Sequence, residues 1–353
     1  MPADDLDGAV LALQGKLAEL CERFPGAAFV ADYTGGTKTM SAALVCAALE
    51  REDVDLQLVL GTRADLVKVK SGTEQTAAAS AVRTRLQRRM APCLGAWKRY
   101  AYAEAAEGLR SICISSGSPD LARLNVARNL SAALARWDAF DHVGALDLLD
   151  DYGARTAPVW PTLLPTLRNL TCKDNPRTGK RNPRQEPARL WDLWRNAERR
   201  ATQGRFDDAV ARLYRLIEWT AQWQLDTKRG WKTAHFPAEE LPKTVSATAG
   251  PDGKIKLGLW HAWRVAAEQL GEPIAGVVTG GAGEELRDLL DLRNRSILAH
   301  GFSPVRESDW RRMQKWMSER FLPVLDRLSA EEGLKERPPQ LPTELLAIVL
   351  EPV

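Results

Sequence analysis

Long apolar runs are missing from this chain. Nothing in it approaches the roughly 18 consecutive residues that a membrane-spanning helix needs, and no basic-then-apolar leader opens it. The expectation is a soluble, cytoplasmic protein with no membrane partner. Cysteine is sparse and unpatterned: Cys21, Cys46, Cys93, Cys113 and Cys172 are the five in 353 residues. None falls in a CxxC or metal-ligand spacing, so they read as reduced thiols rather than a disulfide scaffold or a zinc ribbon. Histidine is scarcer still. His142, His235, His261 and His300 include no pair four apart, so no helical metal-ligand pair is formed and neither a metal nor a cofactor is expected. Of these, His142 beside Asp141 reads as part of an exposed, charged turn and is assigned no role. Net charge is only +3 with 27% charged residues, which excludes a globally basic nucleic-acid binder. Any polyanion surface must be local.

What the chain does have is tryptophan, twelve in all and none before Trp97, which suggests packing anchors in a large helical part. The length leaves room for two domains with their own cores. Residues 5–24 carry Leu6, Val10, Leu13, Leu17, Leu20 and Phe24 at alternating four and three spacing, an amphipathic helix stopped by Pro25-Gly26. A buried strand follows at 27–33, then a Gly-rich turn at 34–38, a helix to about residue 50 and a second strand at 54–61. Strand, helix, strand with short turns predicts a parallel right-handed crossover, with a ligand site at the carboxyl end of the first strand.

That turn, Thr34-Gly35-Gly36-Thr37-Lys38, imitates a P-loop without being one. A Walker A loop needs Gly just before the Lys and again six residues before it, but those positions hold Thr37 and Asp32. What remains is a cradle of backbone N–H groups, hydroxyls and one ammonium that suits an anion or phosphate. The bland alternative, a tight turn with an exposed lysine, is about as good on the turn alone.

From 76 to about 170 the chain reads as alanine-rich helices. Residues 173–205 hold ten Lys or Arg against four Asp or Glu and begin as a proline-broken basic loop, either a polyanion-steering segment or a solvated surface. Residues 205–225 form a strong amphipathic helix with Phe206, Val210, Leu213 and Ile217 inward. Pro251-Asp252-Gly253 predicts a β-hairpin inserted among helices. Helices are expected at 260–270 and 310–328, the last bent or divided at Pro323, before an extended proline-containing tail.

Polar chemistry intrudes on a core pattern in one stretch, Leu286 to Phe302. As a helix, Leu286, Leu290, Arg293, Ile297 and His300 share one face, with Arg293 and His300 about 20° from eclipsed and Gly301 as C-cap. Arg295 falls on the opposite side, where an ordinary ion pair with Asp291 or Asp288 accounts for it. A cation and an imidazole on a buried stripe cost several kcal/mol (roughly) unless an anion or a second polar surface meets them.

Two resemblances follow from these residues. Arg293, Asn294, six residues between Arg293 and His300, and His300 itself are similar to the Arg-x4–6-His signature of HEPN ribonucleases. DYTGGTKTMSAAL followed by LQLVLGTRADLVKVKSGTE resembles CARF domains, the Rossmann-like sensors of cyclic oligoadenylates in type III CRISPR systems, and Ala197 to Leu225 is similar to the central helix of one CARF-HEPN subfamily. The resemblance implies an α/β plus all-α chain: a partial Rossmann-like (CARF) parallel sheet domain at 1–92, lacking its first βα units, a helical connecting region at 93–172, a HEPN ribonuclease domain at 173–340 and a tail at 341–353.

It further implies a homodimer that binds a cyclic oligoadenylate activator through Thr34, Gly35, Gly36, Thr37 and Lys38. The dimer would cut single-stranded RNA without metal through paired Arg293, Asn294 and His300 in antiviral defence. Two chains supply two of each group, which one chain alone cannot. The imidazoles would move protons to and from the 2′-hydroxyl and the leaving 5′-oxygen, and the guanidiniums would stabilise phosphorane charge. Two other readings remain open: a non-catalytic sensor and RNA-binding module with an inactive HEPN domain, and a ring nuclease that degrades the cyclic ligand using Lys38 or Thr37.

Overall fold

A computed structural model describes residues 4–61, 72–114, 117–172, 182–298 and 301–345. The chain divides into two compact units, Met1–Pro92 with Ser111–Asp120, and Cys93–Arg110 with Leu121–Val353.

In the first unit, α1 (Leu6–Arg23) starts where the Asp5 carboxylate accepts the Gly8 N–H at 3.0 Å, an N-cap that satisfies one orphan donor. It packs on α2 (Lys38–Leu49). Between them β1 (Phe29–Asp32) runs parallel to β2 (Val54–Leu60), Phe29 opposite Val54 and Asp32 opposite Gln57. The parallel crossover is as its sequence predicts, but the first strand is shorter than 27–33 and only Ala31 in it is buried. β1 is an edge strand, and Val30, on the face opposite Ala31, stays 57% exposed. The sheet is also not purely parallel. β3 (Gln75–Ala79) lies antiparallel to β2, Leu56 opposite Ala79, where the alanine content predicts helix. Pairing against an open strand edge outweighs alanine's weak helix preference over five residues. α3 (Val82–Gly95) follows, and Leu17, Ala47, Ala48, Val54 and Leu56 form the small core of this unit.

The second unit is almost entirely helical: α4 (Tyr102–Arg110), α5 (Leu121–Asp138), α6 (His142–Leu149), α7 (Gly153–Thr156), α8 (Leu163–Thr171), α9 (Gln185–Thr202) and α10 (Phe206–Arg229) come first. α10 lies along α9 and buries Val210, Leu213 and Ile217, the stripe its periodicity predicts. The first nine residues of the expected basic loop lie outside the described residues. Next come β4 (Phe236–Pro237) and β5 (Lys254–Ile255), then α11 (Leu259–Leu270), α12 (Gly280–Asn294), α13 (Glu307–Trp316) and α14 (Leu322–Glu331). The expected hairpin is corrected here. The turn at 250–253 forms, with the Gly250 N–H on the Lys254 carbonyl at 2.8 Å, but β5 pairs with Phe236–Pro237 across a long connection.

One π-helical turn, Met317–Phe321, separates α13 from α14, so the helix divides just ahead of Pro323. Proline has no N–H and its ring crowds the carbonyl four residues back, and the wider turn absorbs both. All twelve tryptophans are buried or half-buried, as packing anchors should be. None of the described helices is long and apolar enough to cross a membrane.

A buried polar cluster overturns the reading of His142 as an exposed turn residue. His142 opens α6, and its Nε2 lies 2.8 Å from the Asp192 carboxylate of α9, with both side chains nearly closed to solvent. Asp192 also accepts the Trp137 indole N–H at 2.9 Å. Arg199, fully buried, donates to Asp138 at 2.7 Å and to Gln340 at 2.7 Å, and Arg200 pairs with the same Asp138 carboxylate.

Candidate functional site

The two candidate sites lie in different units and are built by different means. In the first unit, the turn from β1 to α2 is organised by Asp32, a residue that sequence reading noted only for not being glycine. Its Oδ1 accepts the Thr34 N–H at 2.9 Å and the Thr34 hydroxyl at 2.5 Å. These bonds hold the Asp32 carboxyl below its ordinary pKa. The Thr34 oxygen in turn accepts the Val59 N–H at 2.6 Å, fastening the turn to the end of β2. Thr37 is the N-cap of α2, accepting the Met40 N–H at 3.2 Å, and the Ser41 hydroxyl donates to the Gly35 carbonyl at 2.9 Å.

Gly36 has φ +92°, a conformation that side chains disfavour. Gly35 carries no such constraint, and a Cβ there would meet nothing within 4 Å. The space beside it is therefore open. All five residues from Thr34 to Lys38 are exposed, and the Lys38 ammonium has no ion-pair partner among the described residues. The turn is braced from beneath and bare above.

In the second unit, α12 ends at Asn294, not at residue 300. Arg295 is its C-cap, the Ser296 N–H turns back to the Arg293 carbonyl at 2.9 Å, and the chain reverses. Ser296 and Ser303 form an isolated bridge, with the Ser303 N–H on the Arg295 carbonyl at 3.1 Å. Three expectations fall with the helix. Ile297 is 58% exposed instead of facing a core. Gly301 is not a helix cap; it lies in the return limb, its N–H on the Ser296 carbonyl at 3.2 Å, and a Cβ there would collide with the Arg295 carbonyl group. Arg295 makes no carboxylate pair among the described residues and instead donates to the Asp291 backbone carbonyl at 3.3 Å. The helical phase relation between Arg293 and His300 therefore does not hold, and His300 itself lies outside the described residues.

Arg293 and Asn294 are brought together, the guanidinium donating to the Asn294 side-chain oxygen at 3.4 Å. Arg293 is half-buried, with its guanidinium carbon 4.3 Å from the centre of the Tyr214 ring on α10. Such cation–π contact contributes about 0.5–2 kcal/mol, more as water is excluded. Burial, the largest cause, and Glu218 raise the Tyr214 phenol pKa, which Arg293 opposes. No carboxylate pairs with Arg293 among the described residues, and its Nε is shut off from solvent without a hydrogen-bond partner.

Beyond the reversal, the Val305 N–H reaches both oxygens of Asp207 at 3.3 Å, tying the returning chain to the start of α10. Tyr214 and Asp207 are the residues sequence reading missed. The signal for Tyr214 was its place four after Val210 and three before Ile217, a ring edging an otherwise aliphatic stripe.

Residues 179–321 match the family model for the Csm6 HEPN domain. The chain also matches the fold of Enterococcus italicus Csm6 bound to cyclic hexa-2′-fluoro-hexa-dAMP. The TM-score is 0.61 at 12% identity, over 95% of this chain and 77% of that one. Residues 179–321 thus resemble the Csm6 HEPN domain, and the chain as a whole shares the fold of that Csm6. The likeness in fold covers both the mixed-sheet unit and the helical unit. No curated protein matches it.

Proposed function

We propose that this chain is a CARF-HEPN protein, a cyclic-oligoadenylate-activated endoribonuclease that cuts single-stranded RNA as a homodimer, without metal. The observation that carries the proposal is Arg293. A guanidinium held by ring stacking, free of carboxylates among the described residues, with a desolvated donor left open, is set for an anion. An unpaired buried donor costs about 1–3 kcal/mol, which a phosphodiester oxygen at that position would recover.

In this reading Arg293 holds the scissile phosphate and stabilises charge as the phosphorane forms. Asn294 braces the guanidinium or binds a phosphate oxygen. His300 takes the proton of the 2′-hydroxyl or gives one to the leaving 5′-oxygen, and a second chain supplies the complementary group. The nucleophile is internal, so the products are a 2′,3′-cyclic phosphate and a 5′-hydroxyl, and DNA is spared. Ile297, Leu298 and Phe302, respectively 58%, 51% and 90% exposed, follow Arg293 within nine residues and suit burial against the same segment of a second copy. In the CARF unit, the open space over Gly35 and the exposed Lys38 would receive the phosphates of the cyclic activator.

The test is cleavage of labelled single-stranded RNA by the purified full chain, with and without cyclic tetra- and hexa-adenylate. Activator-dependent cleavage with cyclic-phosphate ends is expected, and His300→Ala should lower the rate by about 10²–10⁴-fold. A His300→Ala protein as fast as its parent would remove the catalytic assignment. Retained RNA binding with no cleavage under either activator would reduce the protein to a binding module.

A further inference from the structure

The helical unit contains a cavity of about 460 Å³ lined by side chains from α9, α10 and α13, together with Tyr100 and Gln340. Its charges cancel in place. Arg195 donates to Glu198 at 2.9 Å and Arg311 to Glu307 at 2.6 Å, so neither guanidinium is left to hold a phosphate. Three aromatic side chains stand among its mostly polar lining. Phe206 and Tyr100 contribute ring surface, and Trp310 is backed by Trp194 at a centroid distance of 6.4 Å and an interplanar angle of 22°, which fixes its position.

Two edges remain unengaged among the described residues: the Gln314 amide, which offers a donor beside an acceptor, and the Tyr100 hydroxyl. Tyr100 is held by its backbone at φ +59°, and its carbonyl accepts the Gln203 amide at 3.1 Å. A charge-balanced recess with three aromatic side chains and free amide and hydroxyl edges fits a flat uncharged heterocycle better than an anion.

The chain connects this recess directly to the candidate nuclease site. Glu307 and Trp310 begin α13, just after Val305, whose N–H is bound by Asp207 of α10. Phe206 opens α10, and Tyr214, the platform for Arg293, lies eight residues along the same helix, about 12 Å at 1.5 Å per residue. We infer that this cavity is a nucleobase subsite, which takes an unpaired base of the RNA strand near the scissile phosphate and sets sequence preference. The inference rests on single-stranded RNA as the substrate proposed above.

The test uses the full chain carrying Arg293→Ala, so that RNA stays intact, and a labelled single-stranded oligoribonucleotide in which each base is replaced in turn by an abasic residue. Fluorescence anisotropy should show one position whose base removal weakens binding about ten-fold. With Gln314→Ala or Tyr100→Phe added, that penalty should shrink or move to another base identity. Equal penalties at every position, penalties unchanged by both added substitutions, or no RNA binding would each overturn the subsite. Cleavage by the parent chain is scored separately. Its failure alongside a retained position-specific penalty would remove the nuclease reading and leave the subsite standing.

Discussion

Gly301 shows how tightly single residues constrain the candidate nuclease loop. Its Cα packs against the Arg295 carbonyl so closely that the smallest side chain must push the two limbs of the reversal apart. Gly301→Ala is therefore expected to lower RNA cleavage at least ten-fold by displacing Arg293 and its neighbours. Because the loop lies at the surface, the cost to stability should stay near 1 kcal/mol, about 2–4 °C in the melting midpoint of a unit this size, readable by differential scanning calorimetry. Sequence singled out Arg293 as unusual because a cation stood on an apolar stripe. It could not show that the stripe ends one residue later, since a seven-residue phase argument holds only while the helix persists. The pairing of Ser296 with Ser303 replaces helical bonds with a contact between positions seven apart, and no periodicity announces that.

At the scale of elements, the long helices α1 and α10 were legible because one buried face repeats for several turns, whereas α9 was hidden by the basic, proline-containing segment in which it lies. The division before Pro323 was legible because proline's missing N–H is a local fact. β3 and the pairing of β5 were not. Both are short, and their identity depends on which distant edge is free to accept them, β2 in one case and Phe236–Pro237 in the other. The turn between β1 and α2 was recognised by its glycines, while its brace was not, because Asp32 and Val59 are brought to Thr34 only by folding. Thr34→Val keeps the shape but removes both hydroxyl bonds, the one donated to Asp32 and the one accepted from the Val59 N–H. We expect cyclic oligoadenylate binding to weaken at least ten-fold by isothermal titration calorimetry. The melting temperature should hardly change, since water can replace bonds at so exposed a site.

At the scale of the whole molecule, the proposed activity needs a second copy. Ile297, Leu298 and Phe302 within one exposed reversal are costly to leave in water, and covering them would contribute on the order of 1 to 2 kcal/mol each. Phe302→Asp should place two charges face to face across a two-fold axis. Sedimentation equilibrium is expected to show a monomer, with cleavage falling by at least two orders of magnitude. A dimer that survives unchanged with full activity would move the interface elsewhere.

The charge cluster around Asp138 bears on where this protein can be cut. Arg199 of α9 has no access to water, and its counter-ion comes from α5, well upstream of the segment that the HEPN domain model delimits. Severing that partner would leave the buried guanidinium with only the longer carboxylate contact to Asp192 at 3.7 Å, a loss of about 3 kcal/mol, a large share of the margin by which most domains stay folded. Residues 179–321 therefore mark a shared descent, whereas the autonomous folding body must reach back at least to the helix that ends in Asp138.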